Sequence, residues 1–158
     1  MSILSAVLAS SLLLAATPSP LAQRMDAHAV CNPATTNCFE QRVDQLIEIV
    51  AGCVETRKVD GPMTYTACTQ NGELVSAAEF LTEEGDGVTY WLVAGEVVAI
   101  RFPHNETLLW FKNGRLVEAY EDGVFLDQFS ELDTAYLEVM AEDGVAAIVQ
   151  MMVEAGDQ

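Results

Sequence analysis

Short apolar runs, each followed by a Gly-containing turn, organise the middle of this chain. The clearest case is Thr107 to Gly123, in which the runs Leu108 to Phe111 and Leu116 to Tyr120 flank Asn113-Gly114. Both central residues of a type I′ turn need positive φ, which Asn and Gly adopt readily, and this turn matches the twist of paired strands. The stretch therefore predicts a β-hairpin.

The same pattern occurs twice upstream. Residues 71–77 and 113–119 both read Asn-Gly-x-Leu-Val-x-Ala, and residues 88–102 form a looser copy with Ala94-Gly95 at its turn. Consecutive hairpins with short connections form an antiparallel meander, and Gly61-Pro62 is the turn that opens the sheet. The six predicted strands are Met63 to Gln70, Glu73 to Leu81, Val88 to Val93, Glu96 to Phe102, Leu108 to Phe111 and Leu116 to Tyr120.

Apolar positions at helical spacing predict a helix before the sheet, from Asn37 to Val54. Asn37 is the candidate N-cap, and Glu40 stands three residues later, as in a capping box. The apolar face of this helix consists of Phe39, Val43, Leu46, Ile47, Val50 and Val54.

A second helical region follows the sheet. Ser130 to Asp133 reads as another capping box, and Leu132, Tyr136, Val139 and Met140 follow at helical spacing. Asp143-Gly144 interrupts that spacing, and the apolar pattern restarts afterwards in a new register. We therefore expect two short helices here, in preference to one long helix.

These elements predict an α+β fold in one disulfide-tied domain, residues 23–158. Its N-terminal helix packs on a six-stranded antiparallel meander of three consecutive hairpins, and one or two C-terminal helices close the chain. The helices are the only predicted elements that can cover a face of the sheet. The pattern does not determine the order of the strands or which face remains exposed to solvent.

Residues 63–123 share a local order of an aromatic residue, a turn glycine, a charged residue and an apolar pair. The aromatic residues before the turns are Tyr65, Tyr90, Trp91, Trp110 and Phe111. This order resembles MORN-type hairpin repeats and their bacterial antitoxin-like relatives. The resemblance implies hairpins that are stacked or side by side, and it implies no particular activity.

The N-terminus has the shape of an export signal. Its apolar core, Ile3 to Ala16, is followed by Pro18-Ser19-Pro20 and small residues. The core is shorter than the roughly 20 apolar residues of a membrane span, and no later stretch could span a bilayer. We expect residues 1–22 to be a signal peptide cleaved after Ala22, with Ala29 as the second candidate, and the protein to be secreted or periplasmic.

The four cysteines, Cys31, Cys38, Cys53 and Cys68, agree with export, since an even number in a secretory context predicts disulfides. On one continuous helix Cys38 and Cys53 would be about 22 Å apart, whereas disulfide Cα atoms lie about 4.4–6.8 Å apart. That pair is therefore excluded. Two arrangements remain: Cys31–Cys38 with Cys53–Cys68, or Cys31–Cys53 with Cys38–Cys68. A strand running straight back along the helix would favour the second.

The charge is strongly and unevenly acidic. The chain has 24 acidic and 7 basic residues, for a net charge of −17, and eleven carboxylates but no Lys or Arg from Glu118 onward. Such a surface disfavours binding to nucleic acid or to anionic membranes and favours a basic protein partner. The candidate interaction face is the set of carboxylates on the predicted C-terminal helices: Glu131, Asp133, Glu138, Glu142 and Asp143.

The sequence predicts no cofactor, metal or catalytic site. Neither Glu83 to Gly87 nor Glu121 to Gly123 has the ligand spacing of a calcium loop. No nucleophile elbow, zinc-protease, phosphate-loop or dinucleotide motif occurs, so we expect no enzymatic activity. Three functions remain: an inhibitor or adaptor for a basic envelope protein, an assembly component of the envelope that uses exposed edge strands, and, least favoured, a carboxylate-dependent hydrolase.

Overall fold

The structure is a computed structural model that describes Cys31, Ala34, residues 37–126, Gln128 and residues 130–153. The predicted signal peptide, residues 1–22, lies outside the described residues. Within these described residues, helix α1 (Cys38–Val50) comes first, eight strands follow, and helix α2 (Glu131–Val153) comes last. The strands are β1 (Val54–Asp60), β2 (Met63–Gln70), β3 (Glu73–Leu81), β4 (Gly87–Val93), β5 (Glu96–Phe102), β6 (Thr107–Lys112), β7 (Arg115–Glu121) and β8 (Val124–Leu126).

All eight strands form one antiparallel sheet in the order of the sequence, β1 to β8. The α+β class and the meander are confirmed, and the six predicted strands correspond to β2 to β7. The sheet is longer by one strand at each end. β8 pairs with β7 across Asp122-Gly123, where both φ angles are positive, at 50° and 76°. Gly61-Pro62 joins β1 to β2, so this turn does not open the sheet as predicted.

The three predicted hairpins share one irregularity. The pairing register shifts two residues from the end of the first strand, at Cys68/Thr69, Trp91/Leu92 and Trp110/Phe111. The residue left without a partner on the returning strand is in each case a valine: Val75, Val98 and Val117. Such a bulge sets two residues against one and increases the local twist. The looser central copy is therefore a structural repeat of the other two hairpins.

The two helices cover opposite faces of the sheet. Successive side chains of a strand point to opposite faces, and β6 shows the division. Trp110 packs in the hydrophobic cluster that contains Ile49 of α1, whereas Phe111 packs in the cluster that contains Ile148 of α2. The described part of the chain therefore has three layers, in the order helix, sheet, helix.

Helix α1 begins as predicted and ends earlier. The Asn37 side chain accepts a hydrogen bond from the backbone N–H of Glu40 at 3.3 Å, which is the predicted N-cap contact. The helix ends at Val50, and Gly52 follows with a φ of 74°. Val54 is the first residue of β1, so its assignment to the apolar face of the helix was wrong.

Helix α2 is continuous, which corrects the prediction of two short helices. Ser130 Oγ accepts a hydrogen bond from the backbone N–H of Asp133 at 3.0 Å, as a helix cap requires. The helix then runs through Asp143-Gly144 without a break. A Cβ on Gly144 would lie 2.2 Å from the hydroxyl oxygen of Tyr90. Gly144 therefore allows the helix to pack closely on β4 and does not end it.

The structure pairs Cys31 with Cys38 and Cys53 with Cys68. The exclusion of a Cys38–Cys53 bond is confirmed, but the pairing that the sequence favoured was wrong. The reason is β1, which leads away from the end of α1 before β2 returns antiparallel to it. The return brings Cys68 back to Cys53 and not to Cys38.

Candidate functional site

The carboxylates predicted as an interaction face have different surroundings. Asp133, Glu142 and Asp143 are exposed on α2, as a binding surface requires. Glu131 begins the helix, and its side chain lies outside the described part of the chain.

Glu138 is tied to the sheet. Its Oε1 accepts a hydrogen bond from the backbone N–H of Leu116 at 3.2 Å and lies 3.1 Å from Arg115 Nε. The Glu138 side chain is one-fifth exposed, whereas that of Arg115 is largely exposed. Glu138 therefore anchors α2 to the β6–β7 turn, and its charge is partly compensated.

An open groove lies between α2 and the turn ends of two hairpins. Its volume is about 830 Å³. One wall is the flank of α2 with Ala135 and Ala146, and the opposite wall includes the turn glycines Gly95 and Gly114. Because these four residues have small side chains or none, they leave much of the space between the two walls unfilled.

Helix α2 has a second apolar surface in addition to the one that packs on the sheet. Ala141 and Ile148 are buried against the sheet. Val139 and Val149 line the groove and remain 56% and 38% exposed, and Val153, near the end of the helix, is 68% exposed. Several large apolar side chains exposed on one helix, beside a groove, are typical of an interaction site.

Acidic side chains border this apolar surface. Glu96, Glu138 and Glu142 line the groove together with the valines. Glu138 is paired with Arg115, but Glu96 and Glu142 have no ion-pair partner among the residues that the structure describes. In a chain of net charge −17, the groove therefore has a negative potential that attracts cations.

A buried ionic network lies on the opposite face of the sheet, under α1. Arg42 and Glu118 are 3% and 4% exposed. Arg42 Nε donates to Glu118 Oε2 at 2.8 Å, and Arg42 Nη2 donates to Glu118 Oε1 at 2.5 Å. The Tyr120 hydroxyl donates to Glu118 Oε2 at 2.7 Å. The Arg42 guanidinium also stacks on Trp110, 4.5 Å from the centre of its ring. Each of the two buried charges therefore has an aromatic or hydrogen-bonding contact in addition to its ionic partner.

This environment keeps Glu118 ionised. Burial alone raises the pKa of a carboxyl group, but hydrogen bonds from Arg42 and Tyr120, the Arg42 charge and the Cys31 backbone N–H outweigh it and lower the pKa of Glu118. Burial and the adjacent carboxylate raise the pKa of Tyr120. The network therefore contains a fixed cation, a fixed anion and a neutral phenol, which is an arrangement suited to joining α1 to β7.

One polar atom near the network is unsatisfied. Arg42 Nη1 donates to Gln45 Oε1 at 2.9 Å, but Gln45 Nε2 is buried and has no hydrogen-bond partner in the described part of the chain. Most buried polar atoms in proteins are paired, and this amide nitrogen is an exception among the described residues.

Sequence reasoning missed Arg42 and Glu118. The signal was present in the repeat: Glu118 occupies the position held by Ser76 and Ala99 in the other two hairpins. A charge at a repeat position that is otherwise small indicates a specific buried partner.

No group of three or more His, Cys, Asp or Glu side chains among the described residues is placed to hold a metal ion. His104 lies 3.3 Å from Asp86 on the surface, in the short 3-10 turn Pro103–Asn105. Neither described helix combines the length and apolar character that a membrane crossing requires. Comparison with known proteins returns no family model, no curated protein and no solved structure that matches this chain.

Proposed function

We propose that this protein is a secreted or periplasmic binding protein that captures a basic partner protein through the exposed side of α2. The observation that carries the proposal is the charge of that side, where Asp133, Glu142 and Asp143 are exposed. The sequence places no Lys or Arg after Arg115. Complementary charge accelerates encounter and selects the partner.

The two disulfides support the proposed compartment. Disulfides persist in extracellular and periplasmic spaces and are rare in the cytosol of most organisms, and all four cysteines of this chain are paired. The intact mass of the exported protein, with thiols alkylated before reduction, tests this part of the proposal. Loss of residues 1–22 and no alkylated thiol is the expected result, whereas an intact leader or four alkylated thiols would contradict it.

The charge proposal is tested by capture on the immobilised protein from an extract of secreted or envelope proteins, with elution by a salt gradient. We expect basic proteins to bind at low salt and to elute as screening increases. Retention that salt does not change, or no retention of basic proteins, would contradict the proposal.

Two variants of equal charge make the test specific to α2. The first neutralises four of the predicted interaction residues, Glu131→Gln, Asp133→Asn, Glu142→Gln and Asp143→Asn. The second neutralises four carboxylates exposed elsewhere, Glu55→Gln, Asp60→Asn, Glu83→Gln and Glu84→Gln. Each takes the net charge from −17 to −13. We expect the first variant to elute at clearly lower salt than the second; equal elution would mean that net charge alone, and not α2, governs capture.

A second candidate function is assembly through the edge of the sheet. β1 is a seven-residue strand at one edge, and its Val54 and Val59 side chains are 67% and 56% exposed. Unpaired edges can pair with another chain. Sedimentation velocity distinguishes the two functions: a concentration-dependent oligomer supports edge assembly, and a monomer at high concentration argues against it.

A further inference from the structure

We infer that the groove between α2 and the β4–β5 and β6–β7 turns is the docking site for a cationic amphipathic helix of the partner protein. This inference rests on the proposed function and makes it specific. It adds that the partner contributes an apolar stripe in addition to its charge, and that the stripe enters the groove beside Val139 and Val149.

The dimensions of the groove fit a helix. The lining residues of α2 extend from Ala135 to Val149, and fourteen helical steps of 1.5 Å correspond to about 21 Å. A groove of this length receives three or four anchor side chains of a second helix, spaced i, i+3 or i+4, and i+7. The walls are formed by Ala146 on one side and by Gly95 and Gly114 on the other, so the backbone of the incoming helix can approach closely.

The charges select the kind of helix. Glu96 and Glu142 line the same groove as the exposed valines and have no described ion-pair partner. Lys or Arg residues flanking an apolar stripe would reach these carboxylates while the stripe is buried. An acidic or neutral helix would leave the carboxylates partly desolvated without compensation, which costs free energy.

A second copy of this chain is a poorer occupant. Two copies would bring together surfaces of molecules that each have a net charge of −17, and α2 itself presents carboxylates beside its exposed valines. Like charges placed across an interface are strongly unfavourable. The occupant of the groove is therefore a basic segment from a different protein.

The test uses two fluorescent 18-residue peptides of Leu and Lys with the same composition. In one, the Leu residues lie on a single face of a helix, and in the other they are distributed around it. Binding to the full chain is measured by fluorescence anisotropy at low salt. We expect the amphipathic peptide to bind at least about tenfold more tightly, which corresponds to about 1.4 kcal/mol.

Two matched variants locate the site. Ala146→Trp fills the groove from an exposed position of α2. Ala147→Trp makes the same change at the next residue, which is also exposed and does not line the groove. We expect the first to remove the preference for the amphipathic peptide and the second to keep it, and circular dichroism confirms that both variants fold.

The outcomes separate the groove from the proposed function. If both peptides bind equally and Ala146→Trp changes nothing, the groove is not the docking site, although charge-driven capture of basic proteins stands. If neither peptide binds at low salt and no basic protein is captured, both the groove and the proposed function are wrong. Loss of the preference in Ala147→Trp as well as in Ala146→Trp would also overturn the assignment to the groove.

Discussion

At the residue scale, the buried Arg42–Glu118 pair joins α1 to β7 on the face of the sheet beneath α1. Both side chains are almost fully buried, and their contact is bidentate. Desolvating two charges is costly, so a buried pair adds little net stability compared with apolar residues, but removing one partner leaves a charge without compensation. The pair therefore specifies how α1 sits on β7 more than it adds to the free energy of unfolding.

Replacing Arg42 alone tests whether the loss of one partner leaves an uncompensated charge in the interior. We expect Arg42→Met to lower the free energy of unfolding by about 3–5 kcal/mol, because it leaves the charge of Glu118 buried without a partner. The double variant Arg42→Met with Glu118→Leu should recover much of that loss, since neither charge remains. Urea denaturation measures both. A double variant whose loss equals or exceeds the sum of the two single losses would show that the charges do not stabilise each other.

The lowered pKa of Glu118 predicts a specific pH dependence. A carboxyl group whose pKa is lower in the folded state contributes stability above its unfolded pKa, here about 4.5, and loses it as the pH falls through the lower folded value. Glu118→Gln should therefore flatten the acid side of the stability curve. Glu84→Gln, which removes the same charge from an exposed side chain, is the control for the change in net charge. Equal slopes for Glu118→Gln and the original protein would count against the network.

At the element scale, α2 shows how packing can overrule a local signal. An Asp-Gly pair within a helical pattern ordinarily favours a turn or a helix end, and Gly costs about 1 kcal/mol relative to Ala inside a helix. Here the buried Tyr90 ring lies directly beneath Gly144. Burial, followed by the charges of Glu79 and Tyr136, raises the pKa of Tyr90 to about 12, so its hydroxyl is neutral where the helix meets it.

Gly144→Ala is therefore expected to destabilise the protein, although helix propensity alone would make it stabilising by about 1 kcal/mol. The added Cβ would lie within 3 Å of three Tyr90 atoms. Ala147→Gly, at an exposed position of the same helix, measures the propensity term by itself. Thermal or urea unfolding decides: if Gly144→Ala stabilises by as much as Ala147→Gly destabilises, the close contact with Tyr90 is not a constraint.

The hairpin turns were predictable from the sequence, whereas the first strand of the sheet was not. The turns at Asn71-Gly72 and Asn113-Gly114 were predictable because positive φ at both residues restricts the chemistry to very few residue types, and the structure has those angles. Asp122-Gly123 meets the same condition, since both residues have positive φ, and the same rule predicts the turn before β8. β1 was not predictable, because its exposed residues show no alternating pattern when the strand lies at an edge.

At the scale of the whole molecule, long-range placement was the part that the sequence left open. Periodicity gives each helix an apolar face but does not say which face of the sheet that helix covers. Arg42 and Glu118 are 76 residues apart, and the groove lies between α2 and two turns, at Gly95 and Gly114, that come much earlier in the chain. The acidic residues of α2 were predicted from charge alone. The groove beside them could not be predicted, because it depends on how the hairpin turns pack against the helix.

Methyl NMR of valine-labelled protein shows whether the groove-side flank of α2 is the binding surface that we propose. The amphipathic Leu–Lys peptide is titrated into the full chain. We expect the methyl signals of Val97, Val139 and Val149 to shift, because these residues line the groove. The signals of Val54 and Val59 should not shift, although Val59 on β1 is as exposed as Val139, at 56%. Shifts confined to Val54 and Val59 would mean that the groove is not the binding site and would place the binding surface at the edge of the sheet.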